Sequence, residues 1–322
     1  MTILVTGASG FVGQALCQTL LAGGTPVVAA VRRPGSAPAG TEERVVEALG
    51  PHTDWRRALE GIDTVVHLAG RAHVMRERES DPLALFRHVN TEGTRALAEQ
   101  AAGRCRRLVL VSTIKVNGET TAPDRPFRPT DRPDPRDPYG VAKAEAEDAL
   151  FSIAARHGLE AVVVRPPLIH GPGARGNLAT LLRVLRRRVP LPLAAADNRR
   201  SLVGVDNMAA LLIRAARHPD AAGEIFLARD DEDLSTSALL RRLAAALNRP
   251  ARLVPVPLPL LRLAASAIGQ GAMAARLLDS LVVDDGHTRR RLDWAPPVPL
   301  DEGLRRMVGA SFKASPFERR PV

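Results

Sequence analysis

Three glycines, Gly7, Gly10 and Gly13, follow the first apolar run, Ile3–Thr6, and open a stretch of helical periodicity over 11–23. No other feature narrows the available folds as much, because it sets a strand, a tight turn and a helix at the start of the chain. Further apolar runs at Val27–Val31, Thr64–His67, 108–112 and 161–165 alternate with helical patterns over 82–103 and 138–156. Repeated strand–helix–strand units predict an α/β fold, a doubly wound parallel sheet of Rossmann type with right-handed connections. Its ligand crevice is expected at the carboxyl ends of the strands.

After Arg165 the texture changes. Pro and Gly punctuate 166–198 around an Arg-rich helical stretch, 177–188, and the rest reads as short helices with a strand near 224–228. The expected division is a dinucleotide-binding domain over 1–165, rejoined by about 199–221. A smaller, mixed C-terminal substrate domain takes 166–198 and 222–322.

The charge balance is 45 Lys and Arg against 35 Asp and Glu, a net +10, yet only Lys115, Lys143 and Lys313 are lysines. The basic residues are scattered and only ten aromatics are present to stack on bases, so no nucleic-acid partner is predicted. A positive field still favours a small anionic substrate. Cys17 and Cys105 stand too far apart for a disulfide framework or a thiol metal site, which fits a reducing compartment. No window reaches the roughly 18 uncharged apolar residues of a membrane span. The chain runs into Ile3-Leu4-Val5 without a basic leader, so the expected location is cytoplasmic.

Glycines at the first turn let a backbone approach a pyrophosphate, which then rests on the N-terminus of the following helix. A tight turn with no ligand needs the same residues, but the strand–turn–helix setting at residue 7 weighs for a dinucleotide. The second strand ends in Ala29-Ala30-Val31-Arg32-Arg33, with no acid to bind a ribose 2′-hydroxyl. Arg32 and Arg33 suit a 2′-phosphate, so NADP(H) is the expected cofactor, with NAD(H) still open. A solvated arginine pair in an Arg-rich chain is the plainer alternative.

Tyr139 is the sole tyrosine, and Lys143 stands four residues on, which puts both on one face of a helix. Asp137 and Pro138 supply an N-cap and a first-turn proline just before them. A nearby ammonium is expected to bring the phenol toward neutrality, suiting Tyr139 to proton transfer at a carbonyl or alcohol. Thr113 closes the run 108–112 at the crevice edge, where its hydroxyl can hold a substrate oxygen. The stretch 119–138 carries six prolines and is expected to shape the pocket mouth. His67 and His73 have no carboxylate or cysteine partner at ligand spacing, so no metal is predicted.

At this point the chain resembles the extended short-chain dehydrogenase/reductases, also called the NAD-dependent epimerase/dehydratase family. The motifs are Thr6-Gly7-Ala8-Ser9-Gly10-Phe11-Val12-Gly13, His67-Leu68-Ala69-Gly70, Val89-Asn90-Thr91-Glu92-Gly93-Thr94, the Tyr139/Lys143 pair, Arg165-Pro166 and Leu292-Asp293-Trp294. The resemblance implies a catalytic triad of Thr113, Tyr139 and Lys143, with Lys143 also on the nicotinamide ribose. It implies cofactor contacts from Gly7, Ser9, Gly10, Phe11, Val12 and Gly13 and from Leu68, Ala69, Gly70 and Pro166. Asn177 and Arg200 match positions that hold the diphosphate of a nucleotide-sugar, and Leu191 one near the base. His73 is a candidate for the sugar pocket, with an ordinary loop histidine the plainer alternative. Homodimers through the helices 82–103 and 138–156 are implied as well. The chain departs from the family at Ala48, where relatives place an Asp against adenine, and at Asn117, where they place a Tyr. A late phosphate-gripping arginine has no clear counterpart, although Arg276 is near.

The segments 67–75, 114–119 and 198–203 are similar to one subgroup, bacterial enzymes of O-antigen assembly that reduce UDP-4-keto-6-deoxy-N-acetylglucosamine to UDP-N-acetylquinovosamine. The first expectation is therefore an NADPH-dependent 4-ketoreductase acting on a UDP-sugar in surface-polysaccharide synthesis. The alternative is an NAD-dependent UDP-hexose 4-epimerase. A non-catalytic NADP-sensing regulator on the same fold is the third, disfavoured by the intact Thr113, Tyr139 and Lys143.

Overall fold

Along β1 (Ile3–Thr6), α1 (Phe11–Ala22) and β2 (Val27–Val31) every strand residue is buried, as a strand covered on both faces requires. The computed structural model describes residues 1–72, 81–122, 124–174 and 176–313, with the backbone alone for 312 and 313. His73 lies outside the described residues. The chain continues through β3 (Glu42–Val45), β4 (Thr64–His67), α2 (Pro82–Phe86), a π-helical turn over Arg87–Glu92 and α3 (Gly93–Ala101). Then come β5 (Arg107–Val111), α4 (Pro138–His157), β6 (Glu160–Arg165), β7 (Leu168–His170), α5 (Asn177–Arg186) and β8 (Leu202–Gly204). The remainder is α6 (Val205–Arg217), β9 (Ile225–Leu227), α7 (Thr236–Ala246), α8 (Leu258–Ala267), α9 (Gly271–Leu278), α10 (Gly286–Leu292) and α11 (Leu300–Lys313).

Seven parallel strands form the main sheet in the order β3-β2-β1-β4-β5-β6-β9, so the order reverses beside β1, between β1 and β4. The expected doubly wound parallel sheet is the observed one. Period-two alternation sorts its side chains. Ile3, Val5, Val27, Ala29, Val109 and Val162 meet α1 and α6 on one face. Leu4, Val28, Val65, Leu108, Leu110 and Val163 meet α3 and α4 on the other.

A third cluster, built on α5, α7 and α11 with Leu193 and Leu202, forms the core of the C-terminal part. Here the expected boundary at 222 fails for two elements. β9 pairs with β6 in the main sheet, and Leu292 at the end of α10 packs with Trp294 into the core beneath α1 and α6. β3 went unread because Glu42-Glu43-Arg44-Val45 is a polar edge strand with no apolar run. The helix expected over 82–103 is three pieces. Its π turn carries Asn90 and Thr91 inward, where both are buried and hydrogen-bonded.

Candidate active site

The glycine turn is built by close backbone approach. Gly7 has φ +67°, and a Cβ there would lie 2.8 Å from the Ala69 nitrogen. A Cβ on Gly13 would lie 2.3 Å from the Gly7 carbonyl oxygen, so neither position admits another residue without displacing backbone. α1 starts at Phe11 with no acid in its first turn, leaving the positive helix end uncompensated at the carboxyl edge of β1. Ser9 and Gly10 are exposed beside it. A concave, positively polarised backbone of this kind fits a dinucleotide pyrophosphate.

Hydrogen bonds lock this turn to the end of β4. The Thr6 hydroxyl accepts from the Ala69 N–H at 3.1 Å and meets His67 Nδ1 at 2.7 Å, while His67 Nε2 lies 3.2 Å from the Thr94 hydroxyl. Burial, reinforced by the neighbouring Lys143 charge, pushes His67 down to about 3, so it is neutral and both its nitrogens are engaged. Asn90 clamps the next residues, accepting from the Arg71 N–H at 2.8 Å and donating to the Arg71 carbonyl at 3.0 Å. Leu68 and Ala69 are half-buried, Gly70 is exposed, and the carbonyl of buried Pro166 accepts from the Ile114 N–H at 3.0 Å.

At the end of β2, Arg32 and Arg33 are both exposed, and neither has an ion-pair partner among the described residues. An acid on the neighbouring strand, Glu43 of β3, is used structurally. Its carboxylate accepts from Gly35 N–H at 2.9 Å and Ala37 N–H at 3.1 Å, which pins the loop after β2 and lowers its pKa. Ala48 is exposed, and its carbonyl accepts from the Thr53 hydroxyl at 2.8 Å.

Thr113 is buried just beyond β5, and its hydroxyl oxygen accepts from the Lys115 N–H at 3.3 Å. α4 begins as its sequence dictates, with Asp137 accepting from the Gly140 N–H at 2.7 Å and Pro138 in the first turn. Tyr139 and Lys143 stand one turn apart on that helix, and the Tyr139 ring meets Phe86 edge-on with centroids 5.9 Å apart. Neither the phenol hydroxyl nor the ammonium makes a hydrogen bond within the described residues.

The expected acidification of the phenol is not what the surroundings produce. Burial, with a smaller push from the Asp137 charge, raises Tyr139 to about 12. Burial lowers Lys143 to about 8, against an opposing pull from the Glu147 carboxylate. Near neutral pH the phenol is therefore protonated and the ammonium still charged.

Behind Lys143 lies a buried network that sequence reasoning missed. Arg165 grips Glu147 with Nε 3.0 Å and 3.1 Å from its two oxygens, and both side chains are 3% exposed. Ser112 donates to the same carboxylate, and Arg165 Nη1 donates to Asn117 Oδ1 at 3.0 Å. Asn117 passes the chain on by donating to the Arg128 carbonyl at 2.9 Å. The available signal was Glu147 standing four residues after Lys143 on one helix face.

A second ionic chain reaches the C-terminal part. The Lys115 ammonium pairs with Glu119 at 2.8 Å and with Asp137, the cap of the Tyr139 helix. Burial holds the Arg200 guanidinium below the usual range, against opposing pulls from the Asp279 charge and, more weakly, the Glu119 charge. Arg200 Nη1 donates to the Asp279 carbonyl at 2.9 Å. Asn177 is exposed at the first position of α5, and Leu191 is half-buried beside Leu253. The glycine turn, Leu68–Gly70, Thr113, Pro166 and Tyr139/Lys143 thus adjoin the carboxyl edge of the main sheet. Arg200, Asn177 and Leu191 belong to the C-terminal part. The proline-rich stretch is tied across, with the Phe127 N–H 2.9 Å from the Val282 carbonyl.

Residues 3–228 match the NAD dependent epimerase/dehydratase family. The chain belongs to this family. Among curated relatives, UDP-glucose 4-epimerase of Vibrio cholerae is 38% identical over 317 residues, covering 98% of this chain and 96% of that protein. Among solved structures, the Thermus thermophilus UDP-glucose 4-epimerase in complex with NAD superimposes with a TM-score of 0.77 at 23% identity. The match covers 98% of this chain and 100% of that one. The UDP-glucose 4-epimerase of Thermotoga maritima with UDP-glucose gives a TM-score of 0.76 at 22% identity, covering 97% and 99%. These structural matches establish the fold, and membership makes the protein an enzyme of a nicotinamide-dependent epimerase, dehydratase and reductase family. Among the described residues no helix is long and apolar enough to cross a membrane.

Proposed function

We propose that this chain moves hydride at C4 of a UDP-hexose and that its reaction is 4-epimerisation. One observation carries the site: the Tyr139 hydroxyl and Lys143 ammonium stand one helical turn apart on α4 with no hydrogen-bond partner among the described residues. The reaction and the substrate class rest on the likeness to the Vibrio cholerae epimerase along nearly the whole chain. This reading displaces the 4-ketoreductase expected from the sequence, because the comparisons support the family and not that subgroup.

The residues that would hold the dinucleotide are Gly7, Ser9, Gly10, Phe11, Val12 and Gly13 at the pyrophosphate. Leu68, Ala69, Gly70 and Pro166 would line it, and Lys143 would meet the nicotinamide ribose. When bound, the nicotinamide supplies the acceptor and donor of hydride. Tyr139 takes the C4 hydroxyl proton on oxidation and returns it on reduction. Its high pKa keeps it protonated, so it is a weak acid and not free to act as a base. Taking up the C4 proton therefore needs a positive charge beside the phenol, the role we assign to Lys143 one turn away. Thr113 already accepts from Lys115 N–H, so its own proton is left to donate to the C4 oxygen. Arg200 and Asn177 would hold the diphosphate, with Leu191 near the base. Pairing of two copies through the stretch 82–103, which folds as α2, the π turn and α3, and through α4 belongs to the same proposal.

Net NADPH-dependent reduction of a UDP-4-keto-6-deoxy-hexose of the N-acetylglucosamine series, as in surface-polysaccharide synthesis, is the second reading. The acid-free end of β2, with Arg32 and Arg33 exposed and without ion-pair partners among the described residues, favours it. Product and cofactor analysis separates the two. UDP-galactose with NAD should yield UDP-glucose without net formation of reduced cofactor. Net oxidation of NADPH by the 4-keto sugar, with no interconversion of UDP-hexoses, would transfer the assignment to the reductase.

A further inference from the structure

Six large apolar side chains, Val189, Val254, Leu260, Leu263, Ile268 and Met273, are between 46% and 73% exposed, and the chain gathers them on the C-terminal part. The strip after α5 lies against the strip before α8, with the Leu191 N–H 2.9 Å from the Arg252 carbonyl and the Val254 N–H 2.8 Å from the Leu191 carbonyl. α8 and α9 then pack on each other as a hairpin. α8 turns Leu258 and Leu261 toward the core of α5, α7 and α11, yet Leu260 and Leu263 on its other side are 57% and 69% exposed. A helix apolar on both faces has a second apolar surface to meet.

Charge selects that partner. No Asp or Glu occurs from 161 through 196, or from 234 through 278. Arg187, Arg188, Arg252, Arg262 and Arg276 are exposed in those same two segments. Of these five, only Arg262 has an ion-pair partner among the described residues, Asp279 at 2.6 Å. A second copy docking by two-fold symmetry sets these arginines against one another. An anionic headgroup layer complements them, while the acyl boundary takes the leucines and isoleucine. We propose that the α8–α9 hairpin, with the Val189 and Val254 edge, docks this protein on an anionic lipid bilayer. α9 runs directly into Asp279, whose carbonyl holds Arg200, so docking brings the C-terminal part, and not the glycine turn, to the membrane.

The test is co-sedimentation of the full chain with vesicles of phosphatidylcholine and phosphatidylglycerol, against phosphatidylcholine alone, at low and high salt. Expected is binding to the anionic vesicles only, weakened by salt. Leu263→Gln/Ile268→Gln leaves the net charge unchanged and should bind at least about tenfold more weakly. Its thermal midpoint should stay at the wild-type value, because both side chains are exposed. Absence of binding at low salt overturns the proposal. Equal binding by the glutamine variant also overturns it, since the net charge alone would then account for attachment. A wild-type dimer that the glutamine substitutions dissociate would assign the patch to a second copy instead.

Discussion

Glu147→Gln is expected to damage both the stability of the fold and the pH dependence of turnover. Glu147 and Arg165 are each 3% exposed, and Arg165 meets the carboxylate through Nε at 3.0 Å and 3.1 Å and again through Nη2. Replacing the carboxylate by an amide keeps the shape and strands a buried guanidinium, a change that costs about 3–5 kcal/mol. Against a total stability of about 5–15 kcal/mol, the loss is a large fraction and easily measured by urea unfolding. The double variant Glu147→Leu/Arg165→Met removes both members of the buried pair and strands neither, so it should cost clearly less than the two single changes added together. The same carboxylate holds up Lys143, which burial brings down to about 8. The ammonium form prevails below that value and is lost as pH rises through it. Removing the Glu147 charge therefore moves the alkaline limb of the rate profile to lower pH. A Glu147→Gln penalty under about 1 kcal/mol, or strict additivity in the double variant, would refute the reasoning.

Tyr139→Phe keeps the ring contact with Phe86 and should lower turnover by about 100-fold or more with little change in cofactor affinity, read by steady-state kinetics and a binding titration. Gly13→Ala places a Cβ 2.3 Å from the Gly7 carbonyl, so cofactor binding measured by fluorescence should be lost while the far-UV spectrum is kept. Arg32→Ala/Arg33→Ala should weaken NADPH by about tenfold or more, on the scale of charged hydrogen bonds, and leave NADH within about twofold. Equal loss for both cofactors would show that the pair does not face a 2′-phosphate.

Much of this arrangement is written locally in the sequence. β1, β2 and β4 lie where the short runs rich in Val, Leu, Ile and Ala predict them, because a strand buried on both faces is apolar along most of its length. Asp137 and Pro138 announced α4, and the structure shows Asp137 capping it. What escaped is what depends on distant partners. β3 is polar because it borders the sheet, and its role, holding the loop after β2 through Glu43, appears only once 35–37 is folded beside it. The π turn after α2 is set by Asn90 reaching Arg71 and Thr91 reaching the Ala142 carbonyl, which no periodicity encodes. The pKa of Tyr139 departs from the expectation because spacing reveals a lysine one turn away but not the burial, and the Asp137 charge, that raise the phenol.

The fate of the hydrogen on C4 tests the central claim most directly. UDP-glucose deuterated at C4 should be converted to UDP-galactose that still carries its deuterium, because hydride leaves and returns without meeting water. The measurement is a mass and proton spectrum of the product from a reaction in ordinary water. Product that has lost its deuterium to solvent, or a C4 centre that never inverts in any UDP-hexose, would contradict the account.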